Sequence, residues 1–347
     1  MPAPAQTFTR ANLRIYANSI DIYQRQLIDH VFSHSPALAI FANQTLGDFG
    51  GVRLRGVGHT SQRGGHAVVM RARLADYSGA KRGAGPFDTH NTAVDDSNRL
   101  PEANWAFYTH GVALSAHDLR VNQGDAVIGN KLQEDTEACM LALADLVATD
   151  IYADGGPNAI APLPVLINAN DTVQGLSGAT FTRYNSRGLS ARGTAPAGVT
   201  FISGSFAAQG LADMRTLWNN ASEGLVQPNA ILTSYGTLER YEGTLQPQER
   251  FQGAVPVADG SFMALAFKSA PVLADPKCGD GDLFMVLAGT SNGIQLVALS
   301  GADFQFDPEG FKRSSNQTVM VRALEATIAL TIKNRQYGSN RMTGITD

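Results

Sequence analysis

Residues 125–157 read DAVIGNKLQEDTEACMLALADLVATDIYADGGP, and the rest of the chain is organised around this stretch. Ile128, Leu132, Cys139, Leu143, Val147 and Ile151 recur mostly at three- and four-residue steps, which makes one apolar stripe on a helix. Asp125 suits the N-cap, where a carboxylate accepts from the free N–H groups of the first turn. Asp154-Gly155-Gly156-Pro157 is a stop, because glycine admits the left-handed turn and proline cannot continue a helix. At ~1.5 Å per residue such a helix is a rod on the order of 40 Å long. Its second half carries little charge, so burial on more than one side is expected.

On the N-terminal side, Val68, Met70, Ala72 and Leu74 alternate with Val69, Arg71 and Arg73, the period of a strand. A second strand begins at Trp105-Ala106-Phe107-Tyr108 and continues through Val112 and Leu114. Between them, 78–104 is rich in Gly, Asp, Asn and Pro, and a connection this long inside a domain is usually functional. A two-stranded ribbon is marginal in water, since ordering its backbone costs roughly 1–2 kcal/mol per residue. It is expected to lie on another surface, either a neighbouring subunit or its own domain. Earlier still, Ile15, Ile22, Tyr23, Leu27, Val31 and Phe32 have helical spacing, which ends near Ser35-Pro36.

On the C-terminal side, 174–187 and 199–203 read as strand and turn, 211–221 and 238–245 as helices, and 230–233 as a short buried strand. The ranges 262–272 and 283–299 read as strands, the second folded into a hairpin at Asn292-Gly293. In the last strand Leu324, Ala326, Ile328, Leu330 and Ile332 face one way, and Thr327, Ala329, Thr331 and Lys333 the other. No internal repeat or low-complexity segment interrupts this order.

Composition narrows the function. The chain has 347 residues, is 44% hydrophobic and only 17% charged, and holds 35 glycines, which suits a large core and surface destined for partners. A net charge of −4 offers nucleic acid no general attraction. Cys139 and Cys278 lack ligand-pair spacing, which argues against a zinc knuckle or disulfide framework. Cys139, beside Met140, Leu141 and Leu143, reads as a small buried hydrophobe. No run approaches the roughly 20 apolar residues of a membrane span, and the start lacks the pattern of a secretory signal. A protein made and used in the cytosol is expected.

The chemical motifs dissolve one by one. Gly289-Thr290-Ser291-Asn292-Gly293 matches the nucleophile elbow, but strand residues Ile294-Gln295-Leu296-Val297 follow where that motif needs a helix. Cys278-Gly279-Asp280-Gly281-Asp282 lacks the later acidic ligand of a calcium loop and reads as a solvated turn. His59 and His66, and His110 and His117, fall in strand or loop patterns without a companion carboxylate at ligand spacing. Gly50-Gly51 and Gly64-Gly65 lack the lysine and helix of a phosphate loop. Arg183, Arg187 and Arg192 around Tyr184 could meet a phosphate or an acid, but surface or interface salt bridges are favoured. No catalytic, cofactor or metal residue is assigned.

The element order, a helical arm, a long ribbon, a long helix, a mixed region and a return strand, resembles the Hong Kong 97 fold of tailed-bacteriophage major capsid proteins. Its parts are the N-arm, E-loop, spine helix, P-domain and A-domain. Segments similar to one branch of that family are LALADL at 141–146 with DIY at 150–152, GLS at 175–177, FTRYN at 181–185, DMRTLW at 213–218 and PNAILT at 228–233. They continue with YE at 241–242, QPQERF at 246–251, LAFKSAPV at 265–272 followed by Asp275, NR at 334–335 and RMTGIT at 341–346. The resemblance implies an α+β chain with an N-arm over 1–60 and an extended β-hairpin E-loop over 61–120. A P-domain over 121–220 would include a spine helix at about 125–153, followed by an A-domain over 221–302 and a P-domain return strand over 303–347.

It further implies a structural protein, not an enzyme, which self-assembles as pentamers and hexamers into an icosahedral head. That head would enclose double-stranded DNA without sequence-specific binding, be assembled in the host cytoplasm, and have portal and decoration proteins, and either a separate scaffolding protein or none, as further partners. No cofactor and no membrane is implied. Inter-subunit contacts are expected from Arg71, Arg73, Lys81 and Arg82, with Trp105, Phe107 and Tyr108 as apolar anchors or, alternatively, as intrachain core. Some relatives crosslink a lysine of the E-loop to an asparagine of the P-domain. Here Lys81, Asn334 and Asn340 are the residues in those regions, and Glu325 is not placed to assist. Two other readings are an encapsulin-like shell that packages protein, and an oligomeric enzyme with a lid-like ribbon.

Overall fold

The computed structural model describes residues 35–41, 60–62, 65–74, 97–115, 131–169, 171–189, 202–245, 255–256, 263–288, 293–300, 302, 305–306, 312–313 and 319–346. In chain order these include helix α1 (Pro36–Phe41), β1 (Thr60–Gln62), β2 (Ala67–Val69), β3 (Ala72–Arg73), β4 (Asn98–Arg99), β5 (Glu102–Asn104) and β6 (Ala106–Ser115). Helices α2 (Lys131–Asp150) and α3 (Leu163–Leu166) precede β7 (Thr172–Val173), β8 (Leu176–Ser177) and β9 (Ile202–Ser205). Then come α4 (Leu211–Ala221), β10 (Ala230–Thr233), α5 (Tyr235–Leu245), β11 (Val255–Pro256), β12 (Met263–Ala264), β13 (Ala266–Phe267) and β14 (Ala270–Ala274). The chain closes with β15 (Leu283–Val286), β16 (Ile294–Leu299), β17 (Gln305–Phe306), β18 (Lys312–Arg313), β19 (Val319–Ile332) and β20 (Asn340–Thr346).

The stripe that marks 125–157 as a helix does its work in α2. Cys139, Leu143, Val147 and, just past the helix, Ile151 are all buried, while Leu146 on the other side is 49% exposed. Each fully buried aliphatic side chain contributes about 1.5–3 kcal/mol relative to exposure. The proposed cap Asp125 lies outside the described residues.

The surface receiving α2 is a six-stranded sheet threaded by β19. One edge of β19 pairs with β6 from Val319↔Ser115 to Ile328↔Ala106. Its other edge meets β18, β17 and β16 in succession. The alternation read from sequence holds: Leu324, Ala326, Ile328, Leu330 and Ile332 enter the core with α2. Ala329 turns the other way, onto Val68, Ala103, Trp105 and Val297.

A second six-stranded sheet, in the order β13-β14-β10-β15-β20-β9, is buried on both faces at its centre. Ala230, Leu232, Phe284 and Val286 join the core of α2, whereas Ile231, Leu283 and Met285 join Met214, Leu217, Trp218 and Tyr241 of α4 and α5. This is why every residue of β10 and β15 is buried and all but Thr233 are apolar. The sheets cut across the spans marked on the sequence. β9 and β20 come to the second sheet from outside 221–302, and β16, inside that span, belongs to the first.

One local reading is corrected. The 283–299 segment is not a hairpin: β15 already has β10 and β20 on its two edges, and β16 pairs with β1 and β19. The chain crosses between sheets there, and Gly293 serves close approach, since a Cβ on it would stand 2.0 Å from the Leu287 carbonyl oxygen. Pro36 opens α1, where its missing N–H costs nothing because first-turn donors have no helical partner. The helical pattern over 15–32 lies outside the described residues.

Candidate assembly interface

The ribbon is built as the alternation of 68–74 demands. β2 pairs with β5, Val68 opposite Ala103, and β3 pairs with β4, Arg73 opposite Asn98. Its root is fastened to its own chain. Trp105 is buried and donates its indole N–H to the Gly65 carbonyl at 3.0 Å, and the Arg99 guanidinium sits 5.4 Å from the centre of the Phe181 ring. Along the ribbon Arg71 and Arg73 are exposed, and Val69 and Leu100 are 51% and 56% exposed. Lys81 and Arg82 lie outside the described residues.

The three aromatics separate. Phe107 is 65% exposed on β6. Trp105 and Tyr108 are used within the chain, the alternative weighed for them. The Tyr108 hydroxyl donates to Asp150 Oδ2 at 2.7 Å and accepts the Ile160 N–H at 3.0 Å. Burial, opposed by the Ile160 N–H and reinforced by the hydrogen bond and charge of Asp150, raises the pKa of this phenol well above the tyrosine range.

Chemistry-bearing groups elsewhere are spent on structure. Among the described residues no group of three His, Cys, Asp or Glu side chains could hold a metal. Asp280 accepts from Ser234 Oγ at 3.0 Å and from Arg240 at 3.2 Å, and Cys278 is buried. Arg187, expected at a surface or interface, is buried, stacks on Tyr337 at 4.9 Å and donates to its hydroxyl at 2.9 Å. Asn340 is fully buried and donates to the Gly188 and Leu217 carbonyls. Ser291, His59, His117 and Arg192 fall outside the described residues, and His66 and His110 are exposed.

No protein-family model and no curated protein sequence matches the chain. Its backbone is similar to the subunit of the cyanophage A-1(L) capsid asymmetric unit, with a TM-score of 0.58 at 14% identity, over 93% of this chain and 96% of that one. This chain has the Hong Kong 97 fold. The capsid of the native GTA particle aligns with a TM-score of 0.55 at 10% identity, over 93% and 95% of the two chains. The SrpI encapsulin of Synechococcus elongatus aligns with a TM-score of 0.50 at 10% identity, over 94% and 95%.

Within this Hong Kong 97 fold two buried side chains, Arg335 and Asp275, tie distant segments together. Arg335 is 1% exposed. It donates Nε–H to the Leu166 carbonyl at 2.9 Å, Nη1–H to that of Tyr184 at 2.6 Å and Nη2–H to that of Asn168 at 2.8 Å. Its carbon Cζ lies 4.9 Å from the centre of the Tyr184 ring. Burial pushes its pKa down to about 10, with Tyr184 and Asp171 opposing, so it stays charged at neutral pH. Asp275, also fully buried, accepts at Oδ2 from Ser35 Oγ (2.5 Å), the Ala37 N–H (3.1 Å) and the Tyr152 hydroxyl (3.1 Å), and at Oδ1 from the Lys277 N–H (2.9 Å). Sequence pattern marked neither as an anchor; both entered only inside family-like segments.

Proposed function

We propose that the chain is the major capsid protein of a tailed bacteriophage, a structural subunit and not an enzyme. The observation that carries this reading is the likeness over more than nine-tenths of both chains to subunits described as capsids. Copies associate head-to-tail into pentamers and hexamers, a contact type that closes into rings. The rings form an icosahedral head that encloses double-stranded DNA without reading its sequence, and assembly takes place in the host cytoplasm. In this reading α2 belongs to the spine helix at about 125–153, 1–60 is the N-arm and 61–120 the E-loop. The P-domain takes 121–220 and 303–347, and the A-domain 221–302. Scaffolding, portal and decoration proteins are its further partners.

Arg71, Arg73, Lys81 and Arg82 of the ribbon face acidic groups of a neighbouring copy. Exposed pairs of that kind contribute about 0–1 kcal/mol each, so shell strength rests on repeated area. Phe107 is the one exposed aromatic of the three and the apolar contact point of this surface. Phe107→Glu is expected to leave the melting midpoint of the subunit unchanged and to raise the concentration needed for assembly about tenfold, the effect of losing one interface hot spot. Light scattering against concentration measures it, and unchanged assembly removes Phe107 from the interface.

Negative-stain electron microscopy of the purified chain, with size-exclusion chromatography, tests the function itself. Closed polyhedra, tubes or pentamers and hexamers are expected. A monomer or small dimer that stays so at high concentration and under crowding overturns the reading. The similarity to the SrpI encapsulin favours a second reading, a shell that packages protein. Shells recovered from the native source with protein cargo and no DNA would select it.

A further inference from the structure

We propose that Gln174 is the positioning residue of the ribbon, acting as a substitute strand residue beyond the end of β6. The inference rests on the shell reading only for why the ribbon's placement matters. β7 and β8 are joined by the two residues Gln174 and Gly175, with φ of 51° and 77°. Both signs are positive, as in the tight hairpin turn whose first position favours Asn, Asp or Gly. A glutamine there is held in a backbone region that side chains other than Asn, Asp and Gly rarely take. Turn formation therefore does not explain it.

Reach does. With the amide oriented to satisfy its neighbours, Gln174 accepts the Ile332 N–H and donates to the Ile332 carbonyl, both at 3.0 Å, and its NH2 also donates to the Tyr184 hydroxyl at 2.5 Å. Along a strand, alternate residues direct their N–H and C=O groups to the same edge. Ile328 is the last residue of β19 paired with β6, and Ile332 lies four residues farther on. The Gln174 amide thus fills the place a longer β6 would occupy. Its own carbonyl accepts the N–H of Glu102, the first residue of β5, at 2.8 Å. One residue therefore ties the end of the central strand, through its side chain, to the returning strand of the ribbon, through its main chain. Asparagine suits the turn better but is shorter by one carbon–carbon bond, about 1.5 Å, and cannot span this gap.

Gln174→Asn and Gln174→Gly both ease the backbone while removing the reach. Hydrogen exchange of the purified chain is expected to show the Ile332 and Glu102 amides exchanging about tenfold faster or more in either variant. Limited proteolysis should cut 97–104 sooner, and fewer closed shells should form at equal concentration. Unchanged exchange at both amides, with a higher melting midpoint for the glycine variant, would overturn the proposal. A wild-type chain that forms no shells counts against the shell reading alone, because the exchange contrast between variants still decides the role of Gln174.

Discussion

Replacing Arg335 with methionine is expected to lower subunit stability by about 4 kcal/mol, the largest single effect foreseen for this chain. Methionine retains much of the buried volume, so the loss is polar. The carbonyl of Leu166 ends α3, where helical carbonyls have no partner of their own, that of Tyr184 ends a 3-10 turn, and that of Asn168 would keep only the Ser186 N–H at 3.2 Å. Each buried acceptor left unsatisfied costs about 1–3 kcal/mol. Removing a guanidinium that was itself costly to bury offsets part of the sum. Arg335→Lys should fall between the two, because an ammonium lacks the planar fork that reaches three carbonyls at once. Denaturant unfolding followed by intrinsic fluorescence measures the difference. A methionine variant with the wild-type midpoint would mean that these carbonyls find other donors.

Asp275→Ala is expected to cost about 3 kcal/mol and to release α1 first. The carboxylate reaches Ser35 and Ala37 across 240 and 238 residues, and it supplies the N-terminal acceptor that α1 lacks from its own sequence. A six-residue helix does not hold itself in water, so α1 depends on this cap and on burial of Leu38 and Phe41. Without the carboxylate the Ser35 hydroxyl, the Ala37 N–H and the Tyr152 hydroxyl are all buried without their acceptor. Asp275→Asn keeps one accepting oxygen and should be milder. Hydrogen exchange read peptide by peptide distinguishes the outcomes. Protection lost over 35–41 before the rest of the chain is the expected pattern, and uniform loss, or none, contradicts it.

Local pattern carried much of the fold. The stripe from Cys139 to Ile151, the alternation from Leu324 to Ile332, the apolar run 230–233 and the helix Leu211–Ala221 all lie where periodicity and stop signals put them. The ribbon was legible because alternating strands flank a segment poor in core-forming residues. Of the residues proposed for the assembly surface, Arg71, Arg73 and Phe107 are exposed, as the sequence suggested. Trp105 and Tyr108 show the same aromatic pattern, yet an indole N–H and a phenol O–H find partners inside the chain, which the phenyl ring of Phe107 cannot.

By itself, the sequence determined the long helix, the ribbon strands and the last long strand, and which face of each is apolar, because these depend on neighbours within a few residues. Tertiary structure alone decided that β15 and β16 part into different sheets, that Pro36 starts a helix, and that Asp275, Arg335 and Gln174 hold distant segments together. Those outcomes turn on which buried donor meets which buried acceptor. Their partners stand up to 240 residues apart, and only the closed packing of both sheets brings them within hydrogen-bond reach.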